Sequence, residues 1–266
     1  MHSKLVMALA SSLFIASCGG GSGSDNAQAS TTLDASNASE SKSVIDAPFV
    51  ASVRSRFIYL TDQVQELGGL DGYTQDAGGA VTKLGSVALT GNPVVVDLSG
   101  NASFAMGRWS SGTVATSNGT TELQEANGQT AYYLLYNALA AMPAAGSLTC
   151  SAGEFTSTLD AGGTSTSADK LGTASGSAGI VIDATGAHVT LHLSNKVGAE
   201  SVSAAFTGNI RNVSTGIARG GFFGNTQDAY MALGDAGSGA VRLVTAYQLI
   251  LSGGRIYRGV ATFACN

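Results

Sequence analysis

Residues 176–193 read Gly-Ser-Ala-Gly-Ile-Val-Ile-Asp-Ala-Thr-Gly-Ala-His-Val-Thr-Leu-His-Leu, and this stretch decides the fold class. Its two halves, 176–184 and 187–193, flank Thr185-Gly186. A short Gly-containing turn between two such runs predicts a hairpin. In the second half Val189, Leu191 and Leu193 share one face, and His188, Thr190 and His192 share the other. Alternation with a period of two is the mark of a half-buried strand.

The same grammar extends outward. Downstream, strands are predicted over 201–211, 217–223, 242–251 and 255–265, the last two joined by Ser252-Gly253-Gly254. Residues 228–233 read as strand or helical turn. Upstream, Val94-Val95-Val96-Asp97-Leu98 precedes Gly100-Asn101, and runs over 104–109 and 113–116 precede Asn118-Gly119. Residues 130–137 are rich in aromatics, and 147–150 form another short run, with 139–142 leading into Pro143. Many short strands with turn residues between them predict an all-β protein. We expect a single antiparallel up-and-down β-barrel of about eight strands over 85–266, since closure removes exposed edges. Before it, 49–84 reads as a lead-in. Within it, Val53, Phe57, Leu60, Val64 and Leu67 fall on one helical face and Gly68-Gly69 supplies a stop, so a short helix is predicted over 53–68. A strand pair is the competing reading, because Phe57-Ile58-Tyr59-Leu60 is β-prone.

Composition narrows the partners. The chain of 266 residues has a formal net charge of −5, with 12% charged residues and no Lys/Arg cluster. Nucleic acid and anionic membrane surfaces are disfavoured. Gly, Ser, Thr and Ala keep the surface polar without charge, as in many extracytoplasmic β proteins.

At the amino terminus one basic residue, Lys4, precedes an apolar run over 5–15. That run is about half the ~20 residues needed to span a bilayer. It ends in Ala16-Ser17-Cys18, followed by Gly19-Gly20-Gly21-Ser22-Gly23-Ser24. A short apolar region behind a basic start is a cleaved export signal. The arrangement resembles a bacterial lipoprotein signal, with a signal peptide over 1–17. The resemblance implies lipidation of Cys18 through a thioether to diacylglycerol, then cleavage before it and acylation of its amine. Several acyl chains suffice for stable anchoring. Gly19 stands where an Asp would favour inner-membrane retention, so the implied localisation is the outer membrane, facing the periplasm or the outside. Residues 18–48, almost without large apolar residues until Val44, read as a tether that cannot bury enough surface to order itself. As a flexible coil it spans roughly 30 Å. Two cysteines remain, Cys150 and Cys265, and an oxidising compartment makes a disulfide between them the expectation.

Gly107-Arg108-Trp109, Met142-Pro143-Ala144-Ala145-Gly146, Gly220-Gly221-Phe222-Phe223-Gly224 and Gly259-Val260-Ala261-Thr262-Phe263 occur in that order. Their order and spacing resemble the carboxy-terminal β-barrel that follows iron-dicitrate-regulator-like (FecR) domains. They are also similar to the lipoprotein barrels of the transferrin-binding-protein-B-like class. The resemblance covers roughly 85–266 and implies an antiparallel barrel of about eight strands acting in capture of iron or haem proteins. The chain lacks a regulator-like domain, has one barrel-sized unit rather than two lobes, and carries Phe223 where the class has Tyr. No partner-contact residue carries over. If the 147–150 strand opens the barrel and the 255–265 strand ends it, Cys150 and Cys265 lie near each other.

Other candidate side chains have structural readings. His188 and His192 sit about 13 Å apart along a strand, too far for one metal ion whose ligands lie ~2 Å from it. Tyr132, Tyr133, Tyr136 and Trp109 are barrel packing, or line an apolar or carbohydrate-binding surface. Glu122, Glu125 and Glu154 are expected in water. Arg108 is expected to stack on Trp109 at a barrel end. The sequence carries no Gly-x-Ser-x-Gly elbow and no phosphate-binding loop.

The expectation is therefore a lipid-anchored, non-catalytic envelope protein without a cofactor. It binds a small apolar ligand inside the barrel or a protein on its rim. Two alternatives stay open: an interaction lipoprotein with a filled barrel, and a hydrolase with a loop-borne site.

Overall fold

The computed structural model describes residues 44–266 except 63, 118, 152, 162–170 and 220–225. The signal peptide expected over 1–17, the lipidation site Cys18, most of the tether and the 220–224 turn motif lie outside the described residues.

The described chain is all-β, and its strands form two sheets. The first holds β1 (Val44–Ile45), β2 (Ser55–Leu60), β3 (Gln65–Gly69), β4 (Tyr73–Gln75), β5 (Val81–Leu84), β6 (Val87–Asn101), β7 (Phe104–Thr116), β8 (Gly119–Gln124) and β9 (Ala131–Asn137). Its order is β3-β2-β9-β7-β6-β5-β4, with β8 added to β7 and β1 added in parallel to β6. The second holds β10 (Gly146–Thr149), β11 (Glu154–Phe155), β12 (Thr158–Asp160), β13 (Leu171–Asp183), β14 (Gly186–Val197), β15 (Glu200–Ile210), β16 (Ile217–Arg219), β17 (Asp228–Gly237), β18 (Ala240–Ile250) and β19 (Ile256–Cys265). Its main path, β15-β14-β13-β12-β19-β18-β17-β16, is an antiparallel run of eight strands. β15 also lies against β16 and β17, so the run is nearly closed.

The barrel-like unit is therefore shorter than the expected 85–266, beginning only after β9. Residues 49–84 and 85–137 share the first sheet, because the interior there needs apolar side chains from both. Phe57, Tyr59, Val81 and Leu84 pack with Trp109, Val114 and Tyr133. The helix expected over 53–68 is two strands, β2 and β3. Val53 is 98% exposed, so the supposed helical face does not exist. Alternation wins instead: Phe57 and Tyr59 enter the first interior, while Ile58 and Leu60 enter a second apolar layer. The tether also stops earlier than the expected residue 48. Val44 and Ile45 pair with Ser99 and Gly100 of β6, and the Ile45 side chain packs over Gly79.

Three apolar layers result. The first fills the half-barrel. The third fills the second sheet with Ile180, Val189, Leu191, Leu193, Phe206, Met231, Leu233, Leu243, Leu249 and Phe263. Between them lies a seam. Phe104, Met106, Tyr132, Leu134 and Tyr136 of the first sheet meet Tyr230, Ala232, Val244, Ala246 and Val260 of the second. β9 and the first half of β7, Phe104 to Ser110, are thus buried on both faces.

Candidate functional site: the polar seam and an acidic cleft beside it

Charged groups interrupt three apolar runs at the seam. Asp97 breaks the run Val94-Val95-Val96-Asp97-Leu98, at a shift of register between β6 and β7. Its φ of 56° is a conformation that Asp tolerates better than β-branched residues do. There its carboxylate meets Arg108 of β7, whose Nε donates to Oδ2 at 2.8 Å. The two side chains are 1% and 3% exposed. Ser157 donates to the same carboxylate through both its main-chain N–H and its hydroxyl, each at 3.1 Å. The other arm of Arg108 donates to Glu125 at 2.5 Å. Burial works against the Arg108 charge, but Tyr132, Asp97 and Glu125 outweigh it and hold its pKa above the ordinary value.

Arg242 of β18 points across the seam, its guanidinium carbon 4.0 Å from the centre of the Phe104 ring. It donates to the Thr262 hydroxyl at 3.1 Å and stands 3.8 Å from Glu154. Ser99 of the first sheet hydrogen-bonds the other oxygen of that carboxylate. Arg258 of β19 donates to Gln248 at 2.9 Å. It also reaches the main-chain carbonyls of Thr61 and Asp62, at 2.7 and 2.5 Å, in the turn after β2. Burial pushes the pKa of Arg242 down against the pull of Glu154, and that of Arg258 down against the pull of Asp62. Tyr136 and Tyr230 pair their hydroxyls across the same seam.

Beside the seam the first sheet has an opening with a simple cause. β9 begins at Ala131, opposite Trp109, whereas β7 runs on past it into the β7–β8 hairpin, and β2 ends at Leu60, opposite Tyr132, where the chain turns into β3 to form the β2–β3 hairpin. A cleft of about 220 Å³ lies between these hairpins. Tyr59, Val114 and Leu123 form its floor. Asp62 and Glu66 stand on one wall, Thr116, Ser117, Thr120 and Thr121 on the other. Trp109 lies behind the floor, its ring 5.7 Å from that of Tyr59. Burial raises the Tyr59 pKa, and Glu66 and Asp62 add to the rise.

The residues singled out by sequence fall in several places. Cys150 and Cys265 are joined in a disulfide, and Thr149 and Asn266 exchange main-chain hydrogen bonds beside it. The 146–149 strand itself pairs with β13; it meets the end of β19 only at an isolated antiparallel bridge between Cys150 and Cys265, where the disulfide sits and the Ser151 N–H also donates to the Ala264 carbonyl. His188 and His192 lie on the exposed face of β14, with His188 3.1 Å from Asp183. Trp109 and Tyr133 are interior packing, and Tyr132 and Tyr136 are seam packing. Arg108 does not stack on Trp109, because neighbours on a strand point to opposite faces. Glu125 and Glu154 are not simply in water; each is tied to a buried arginine. Asp97, Arg242, Arg258 and the Asp62–Glu66 wall escaped the sequence reading. The available signal was a charge inside an apolar β run. Among the described residues no group of three or more His, Cys, Asp and Glu could hold a metal ion.

No protein-family model, curated protein or solved structure matches the chain.

Proposed function

We propose that this chain is a lipid-anchored envelope protein that binds a partner protein on its outer surface and carries out no catalysis. The observation that carries the reading is the occupied interior of the second sheet. Its inward side chains, from Ile180 to Phe263, are buried against one another. Ligand pockets generally enclose ~300 Å³ or more of mostly apolar space, so partner recognition belongs on the outside. The charges of the seam support the same reading, since they serve to fix one sheet against the other. The lipoprotein-like signal ending at Cys18 supports the anchor. The motifs similar to the transferrin-binding-protein-B-like class support surface recognition of an iron- or haem-carrying protein.

Two measurements test this. Cells expressing the chain are fed alkyne-palmitate and fractionated. The protein is expected to carry the label and sediment with outer membranes, and Cys18→Ser to lose both. Unlabelled protein in the soluble fraction would remove the anchor from the reading. Separately, haem is titrated into the purified protein, with no Soret shift expected. A saturable Soret band lost in His188→Ala or His192→Ala would replace surface recognition with haem capture.

A further inference from the structure

We infer that the cleft between the β2–β3 and β7–β8 hairpins is the receptacle for one basic side chain of the partner protein. The inference deepens the surface-binding reading and rests on it. Size comes first. At about 220 Å³ the cleft falls below the range that holds free small molecules, yet it has room for a single long side chain. Chemistry comes second. The floor of Tyr59, Val114 and Leu123 suits an alkyl stem, and the rim suits a charged head. Asp62 and Glu66 are the charged residues of the lining; the other polar side chains there are hydroxyls and one amide, Gln129, and Val64 and Gly119 complete it. Among the described lining residues an anionic ligand would meet two carboxylates and no cation. A neutral apolar one would leave their field unused.

Rigidity is the third point. Arg258 holds the carbonyls of Thr61 and Asp62, so the acidic wall is fixed from the seam. Arg108 holds Glu125, which follows β8 and so steadies the opposite hairpin. Both walls of the cleft are thus braced by buried guanidinium groups before any partner arrives. A site set in advance loses less entropy on binding. The buried arginines of the seam and the acidic cleft are parts of one device.

Trp109 is the chain's sole tryptophan and packs against the back of Tyr59, so its emission reports on the cleft. The full chain, purified in detergent, is titrated with Nα-acetyl-arginine methylamide and the corresponding lysine compound. The citrulline compound serves as the uncharged match in shape. The expected result is a saturable change with a basic probe, about fivefold or more weaker with citrulline. Asp62→Asn and Glu66→Gln are each expected to weaken the basic probe, and added salt to weaken it in the unaltered protein. The salt series needs no variant, so a misfolded variant leaves the test intact. A response linear in probe, equal responses to arginine and citrulline, or indifference to salt would each overturn the assignment. Those results would leave the palmitate and haem experiments standing, so the cleft and the surface-binding reading fail separately.

Discussion

Each sheet contains a tyrosine laid across a glycine of the next strand, and the two cases differ in one atom's surroundings. In the first sheet Tyr133 of β9 pairs with Gly107 of β7. In the second, Tyr247 of β18 pairs with Gly259 of β19. A Cβ on Gly107 would lie 2.5 Å from the Tyr133 hydroxyl, and one on Gly259 would lie 2.6 Å from that of Tyr247. Both rings are buried. The Tyr133 hydroxyl accepts the Val81 N–H at 3.3 Å. That of Tyr247 has no hydrogen-bond partner among the described residues. The packing device is the same. In the first sheet it also ties β5 to β9, whereas in the second it fills space and leaves a buried hydroxyl unsatisfied. The seam arginines divide in the same way. Arg108, from the first sheet, is matched by a buried carboxylate, while Arg242, from the second, relies on a ring, a hydroxyl and a half-exposed carboxylate.

The largest effects test the arginines. Arg108→Met strands the Asp97 carboxylate in the interior and is expected to destabilise by about 3–5 kcal/mol in urea unfolding. Arg242→Met keeps apolar contact with Phe104 and frees a carboxylate that already reaches water, so about 1 kcal/mol or less is expected. Equal losses would dissolve the distinction between the two arginines. Next come the glycines. Gly107→Ala and Gly259→Ala each force a buried ring aside, at about 3 kcal/mol, the upper end for overpacking. If only one sheet suffers, the two Tyr–Gly pairs are not equivalent in packing. The tyrosines follow. Tyr133→Phe leaves the Val81 N–H without its partner and is expected to cost about 1–2 kcal/mol. Tyr247→Phe removes an unsatisfied hydroxyl and is expected to be neutral or slightly stabilising, with Tm unchanged or raised.

Alkaline titration gives the smallest and broadest signal. Burial raises the pKa of Tyr132 to about 12 from the ordinary 10.0, against the pull of Arg108, and also raises those of Tyr133 and Tyr247. Their neutral forms are favoured in the fold. Their contribution to stability is complete below pH 10 and is lost as pH rises toward 12 and beyond. Tyrosinate absorbance from these rings should therefore appear together with loss of the β circular dichroism signal, not before it.

The hairpin over 176–193 was legible because one face of β14 is wet and the other dry, which leaves a clean alternation in the sequence. Residues 53–68 were misleading for the opposite reason. Phe57-Ile58-Tyr59-Leu60 is buried on both faces, so alternation disappears and a helical spacing can be traced through it. Sheet membership was illegible because it is decided by distant partners. Ser55 faces Asn137, and Leu159 faces Arg258. The charges at 97, 242 and 258 are visible as interruptions of apolar strands. What they meet depends on how two sheets stack, which no local pattern records. The cleft was still further from reach, since it depends on β9 starting where β7 runs on into the β7–β8 hairpin and β2 turns back into β3.

The bridge between Cys150 and Cys265 also governs how the molecule carries force. Pulled between Val44 and Asn266, tension enters the first sheet, reaches Cys150 and leaves through Cys265, one residue from the end. The chain between the two cysteines, which stand 115 positions apart, hangs off the loaded path as a slack loop. At ~3.5 Å per residue, roughly 400 Å of contour length stays hidden until the sulfurs are reduced. A stretched molecule would thus surrender its half-barrel and β10, while the strands of the second sheet inside the Cys150–Cys265 loop, β11 to β19, carried no load.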